Sequence, residues 1–159
     1  MSKKMMVLVC VLSAALLLLF GCAPSSPASQ TSSYALQDIA DGVLRDAGED
    51  LSRLESKEIN AENEHYYLGV EGLEYTEAVA IEPKINAIPF SFCLIRMEEG
   101  ANIEEGKQRI AKNVDPWKWI CVGVSDDQVV VDSAGNIIVL IMAEDAQPIA
   151  QSFLKFKNQ

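Results

Sequence analysis

The apolar positions from Met5 to Phe20 form one run broken only by Ser13, and it has no periodicity. After Ser33 the pattern changes to short periodic stretches, the signature of packed elements. Leu36, Ile39, Ala40, Val43, Leu44, Ala47, Leu51 and Leu54 recur at helical spacing and predict a helix over Tyr34–Glu55. Gly42 and Gly48 weaken it, with a bend or break expected near Gly48. Residues Glu58–Glu64 are polar and read as a loop.

Strands are expected at His65–Val70 and at Tyr75–Ile81, where alternate residues divide between two faces. Phe90–Met97 is apolar on both faces, as a central covered strand requires. Asn102 and Glu105 have capping-box spacing and open a helix that Asp115-Pro116 ends. Trp119–Val124 reads as another strand. Gln128–Asp132 and Asn136–Met142 form a hairpin around Ser133-Ala134-Gly135. Asp145 opens a last helix, with Pro148 tolerated in its first turn and Ile149, Ala150, Phe153 and Leu154 docking it. The expectation is an α+β fold, a mainly antiparallel sheet of about five strands with three helices packed on it.

The first run takes its meaning from its flanks. Lys3 and Lys4 precede it, no acid occurs in residues 1–33, and Gly21-Cys22 follows it. Positive charge, apolar stretch and small residue, in that order, make a secretory signal. With a cysteine next, Leu19-Phe20-Gly21-Cys22 resembles a lipobox, where a thiol takes a diacylglyceryl group and the chain is cut before it. Phe20 is bulkier than the residue usual there. A transmembrane helix and an ordinary cleaved signal compete with this reading. The run is short of the ~20 residues a span needs. The expected organisation is a signal peptide at 1–21, lipidated Cys22 with a Pro/Ser-rich tether at 22–33, and one globular domain at 34–159. Localisation follows: the outer face of the cell membrane, held by palmitate-type acyl chains.

Charge narrows the partners. The chain carries 13 basic and 23 acidic side chains, net −10. Removing residues 1–21 takes two lysines and no acid, leaving 11 against 23, net −12. Anionic headgroups repel such a surface, so a covalent anchor is the expected means of retention. Nucleic acid is disfavoured for the same reason.

Candidate chemistry is sparse. His65 is the one histidine and has no Gly-x-Ser-x-Gly elbow to accompany it. Ser152 and Lys155 have Ser-x-x-Lys spacing without the partner motifs of penicillin-binding enzymes. Asp126, Asp127 and Asp132 frame Val129-Val130-Val131, which breaks any calcium-loop pattern. Glu98, Glu99, Glu104 and Glu105 read as a solvated edge. Cys93 and Cys121 lie in expected strands; a disulfide is permitted outside the membrane, and free buried thiols are favoured on packing grounds. Trp117 and Trp119 straddle Lys118, and alternation would place both on one face, as core or as a binding surface. No metal and no cofactor is implied.

Three stretches, Phe90-Ser91-Phe92-Cys93-Leu94, Asp115-Pro116-Trp117-Lys118-Trp119-Ile120-Cys121-Val122 and Gly135–Met142, resemble a family of small Gram-positive lipoproteins catalogued as domain of unknown function 4358. The likeness spans about Tyr34 to Phe156. It implies a lipidated extracytoplasmic protein and brings no catalytic or ligand residues. The expected function is a membrane-anchored binding or assembly module without catalysis, its partner an envelope protein or glycan. A small envelope hydrolase or a solute-binding lipoprotein is the alternative.

Overall fold

A computed structural model describes residues 34–157, which fall within one compact unit, Thr31–Gln159. The expected signal peptide, Cys22 and the tether lie outside the described residues. The elements run α1 (Leu36–Asp46), β1 (Leu54–Glu58), α2 (Glu64–Leu68), β2 (Tyr75–Pro83), β3 (Phe90–Met97), α3 (Ile103–Asn113), β4 (Val129–Ala134), β5 (Ile137–Ala143) and α4 (Ala146–Lys157). Short 3₁₀ turns at Leu51–Arg53 and Asp126–Gln128 lead into β1 and β4. The five strands form one antiparallel sheet in the order β1-β2-β3-β5-β4. This is the expected α+β class.

Strand β3 pairs with β2 on one side and β5 on the other, and all eight of its residues are buried. Its alternation feeds two cores. Phe92 and Leu94 join Ile39, Val43 and Leu44 of α1 and Ile149 and Phe153 of α4. Cys93 and Ile95 face the other way, toward Leu68 of α2, Ile110 of α3, Trp119 and Val124. The sheet is therefore the middle of three layers. Among the described residues no helix is long and apolar enough to cross a membrane.

Helix α1 is shorter than its apolar stripe. It stops at Asp46 because Gly48 takes φ +89, and the amides of Gly48 and Glu49 bond back to Arg45 O (3.0 Å) and Leu44 O (2.9 Å). That pair of reversed bonds is a Schellman closure. Leu51 and Leu54 then pack on the same core from a 3₁₀ turn and from β1 rather than from the helix. The strand β1, inside what reads as helix and loop, is an edge strand with mostly exposed, polar residues, so periodicity does not reveal it.

Two further expectations are corrected. His65–Val70 is not a strand; its core is the five-residue helix α2, closed by Gly69 at φ +70. Trp119–Val124 is not a strand either. Cys121 has φ +60, a left-handed conformation that interrupts any extended run, and Val124 N bonds to Pro116 O (3.0 Å), closing residues 116–124 into a loop. The last helix and the hairpin follow the sequence pattern, although the turn falls at Gly135-Asn136. Asn102 caps α3, its side-chain oxygen accepting from Glu105 N at 3.1 Å.

The sheet has two ends. At one, Arg96 donates to Tyr34 O and pairs with Glu77 (3.3 Å), and Glu77 accepts from Leu36 N (3.3 Å). There the N-terminal segment joins the fold. At the other end lie the turns 49–53, 84–89, 125–128 and 144–145, together with the 116–124 loop, whose Ile120 N bonds Asn86 O (3.3 Å).

Candidate functional site

The 116–124 loop is held by its middle residue. Lys118 reaches under the loop to the sheet, where its ammonium lies 2.7 Å from Glu82 Oε1. The two side chains are 3 % and 6 % exposed, so this is a buried ion pair. The contact lacks hydrogen-bond alignment at that oxygen, so it is an ion pair rather than a hydrogen bond. Lys118 also donates to Ser91 Oγ (3.2 Å). Three aromatic rings surround the same ammonium: Tyr66 at 4.9 Å, Tyr67 at 5.0 Å and Trp119 at 5.3 Å from their centres. Each lies within cation–π range. Tyr66 and Tyr67 meet edge to face at 4.9 Å.

Local rules explain how these groups converge. Glu82 on β2 lies opposite Ser91 on β3, one step beyond the Ile81–Phe92 pair, so both point to the α2–α3 face. Helix α2 brings Tyr66 and Tyr67 over them. Burial raises the phenol pKa values of Tyr66 and Tyr67, and the Glu82 charge adds to the rise. Cys93, fully buried beside Ser91 (3.5 Å), has its thiol pushed up to about 11 by burial, against the pull of the Lys118 charge. Ser91 is itself fully buried, so the Ser91–Lys118 contact presents no hydroxyl to a substrate.

The pinning splits the tryptophans. Trp119 is buried among Leu68, Ile110 and Val124, its Nε1 without a partner among the described residues. Trp117 is 65 % exposed, so the expectation of both on one face does not hold. The reason is the loop: Trp117 lies across Gly123, where a Cβ would come within 2.6 Å of its ring. Ile120 and Ile85 are as exposed as Trp117, and the Ile120 N–Asn86 O bond brings their two loops together. Trp117, Ile120 and Ile85 are thus three exposed large apolar side chains on two loops joined by that backbone bond, hereafter the exposed cluster. Lys118, Glu82 and the tyrosine pair have no signal in the sequence.

The other candidate residues are dispersed. His65 is exposed on α2, its Nδ1 4.0 Å from Glu71. Ser152 donates to Val43 O and Asp46 (2.9 Å each), and Lys155 pairs with Asp46 (2.9 Å). Both therefore fasten α4 to α1, and together they hold the Asp46 carboxyl below its usual range. Asp126 and Asp127 form an exposed turn, while Asp132 approaches Lys107 (3.8 Å). Glu98 and Glu99 are exposed; Glu104 pairs with Lys107 (3.2 Å) and Glu105 belongs to the α3 cap. Among the described residues no three His, Cys, Asp or Glu side chains gather to hold a metal. A cavity of about 660 Å³ lies beside the N-terminal junction, lined by Ser56, Glu58, Glu64, Tyr75 and Glu77 among others. Glu64 is buried there and accepts from Gly72 N.

Cys93 and Cys121 are both free, but only Cys93 is buried; the expected burial of Cys121 does not hold, because its φ of +60 lies in an exposed loop rather than in a strand. They differ in exposure. Cys121 is exposed, whereas Cys93 is buried and its high pKa leaves about one thiolate per thousand at pH 8. Peptide mass spectrometry after iodoacetamide treatment should find Cys121 modified in the native protein and Cys93 modified only after unfolding. Equal labelling of both in the native state would contradict this burial.

No protein-family model matches the chain, no curated protein matches it, and no solved structure matches it.

Proposed function

We propose that this protein is a lipid-anchored extracytoplasmic lipoprotein whose domain is a binding or assembly module without catalysis. The observation that carries the binding reading is the exposed Trp117–Ile120–Ile85 cluster on a loop pinned through Lys118. Large apolar side chains seldom stay exposed together on a rigid surface unless a partner covers them. Pre-ordering the loop lowers the entropy lost on binding. The candidate catalytic groups, His65, Ser152, Lys155 and the acidic pairs, are instead dispersed or spent on packing. Solute binding is a second reading, favoured only by the cavity beside Glu64 and Tyr75.

The anchor rests on Cys22, the apolar run before it and the −12 charge of the mature chain. The resemblance to the lipoprotein family described above implies the same. Cys22→Ala should abolish fatty-acid labelling and move the protein out of the membrane fraction. A variant that still labels and still sediments with membranes would refute the anchor. For the binding reading, a photo-crosslinking amino acid at Ile85 should give a discrete adduct in the intact envelope, and the adduct should vanish with Trp117→Ala. An adduct insensitive to Trp117 would count against the cluster.

A further inference from the structure

We infer that the partner of the Trp117–Ile120–Ile85 cluster is a cationic amphipathic segment of another envelope protein, an inference that rests on the binding reading above. Charge and position carry it. The cluster shares its end of the sheet with six exposed carboxylates: Asp50, Asp115, Asp126, Asp127, Glu144 and Asp145. Two exposed cations, Arg53 and Lys84, stand among them in those turns, both beside Asp50, so the acids outnumber the exposed cations there by six to two. The remaining cation, Lys118, is buried against Glu82 and shows no charge to a partner. An apolar centre in an acidic surround is complementary to an apolar stripe flanked by lysine or arginine.

The same surround argues against the other occupants. Two copies of this end, face to face, bring carboxylates against carboxylates. A bilayer rich in anionic headgroups repels it. Position agrees. The N-terminal segment joins the fold at Arg96, and the cluster lies at the Phe90 end of β3, about 20 Å away along the strand. The anchored end and the docking end are opposite ends of one sheet.

The test uses the mature lipidated protein in zwitterionic lipid discs and two probes: an amphipathic Leu/Lys peptide and a Leu/Glu peptide of the same length and spacing. The Lys peptide should bind at least about tenfold more tightly than the Glu peptide. Its affinity should fall with added salt and with the Asp126→Asn/Asp127→Asn pair. It should fall about tenfold or more with Trp117→Ala and with Ile85→Ser, the second of which alters only an exposed side chain. Affinity unchanged by both apolar variants would mean unspecific charge attraction and overturn the inference. So would equal binding of both peptides, or no binding of the Lys peptide by about 1 mM. The Ile85 crosslinker separates the two levels of failure. Adducts to glycan, to lipid or to a second copy would overturn the partner chemistry and leave the docking cluster standing. No adduct and no peptide binding would remove both.

Discussion

Lys118→Met should destabilise the domain by about 3–5 kcal/mol, because it strands a carboxylate in the interior. Glu82 is 6 % exposed and Lys118 Nζ is its ion-pair partner at 2.7 Å. Methionine fills the space between Tyr66, Tyr67 and Trp119 but supplies no charge and no donor to Ser91. The same reasoning predicts a smaller loss for the double variant Lys118→Met/Glu82→Leu, where the buried charges leave together and the cost of desolvating them leaves too. Urea unfolding of the two variants and the parent checks both statements. A single variant no less stable than the double would mean that the pair does not act as a pair. The loop should also respond: Lys118→Met frees residues 116–124 from the sheet, and Trp119 emission should shift to the red before global unfolding.

That ion pair marks the limit of what the sequence shows. Strand β3 is legible because a run with apolar residues on both faces has to be covered on both sides, and the cores around Phe92 and Cys93 are that cover. The cap at Asn102 is legible because its chemistry is local to four residues. Helix α1 is half legible: its stripe is continuous, but Gly48 ends it and passes Leu51 and Leu54 to other elements facing the same core. Helix α2 is too short for a period, and Tyr66-Tyr67 favours strand by propensity. Tertiary contact with Lys118 and the Gly69 turn decide otherwise. The 116–124 loop is misread for a related reason. Alternation holds only while the backbone stays extended, and Cys121 at φ +60 leaves that region. The exposed cluster therefore depends on a conformation and on an ion pair between distant residues, neither of which a pattern along the chain encodes.

Gly69→Ala should be nearly as damaging, by about 3 kcal/mol, through backbone alone. Gly69 closes α2 at φ +70, where an alanine costs about 1–2 kcal/mol. The larger part is collision. A Cβ there would lie 2.2 Å from Asn113 O, 2.4 Å from Asn113 C and 2.5 Å from Val114 N. These are main-chain atoms at the end of α3, and they are held: Val114 N bonds Ile110 O (2.9 Å) and the Asn113 side chain bonds Arg109 O (2.7 Å). No rotamer change relieves the contact, so α2 must withdraw from α3, at the cost of about 1–3 kcal/mol usual for overpacking. Gly72 supplies the control. It has nearly the same φ, +67, but nothing within 4 Å of its Cβ position, so Gly72→Ala should show the conformational cost alone. Denaturation midpoints of the two variants separate strain from collision, and equal midpoints would refute the close approach of α2 to α3. Because α2 carries Tyr66 and Tyr67, its withdrawal also opens the aromatic box around Lys118. Gly69→Ala should therefore weaken any ligand of Trp117 more than Gly72→Ala does, although neither glycine touches the cluster.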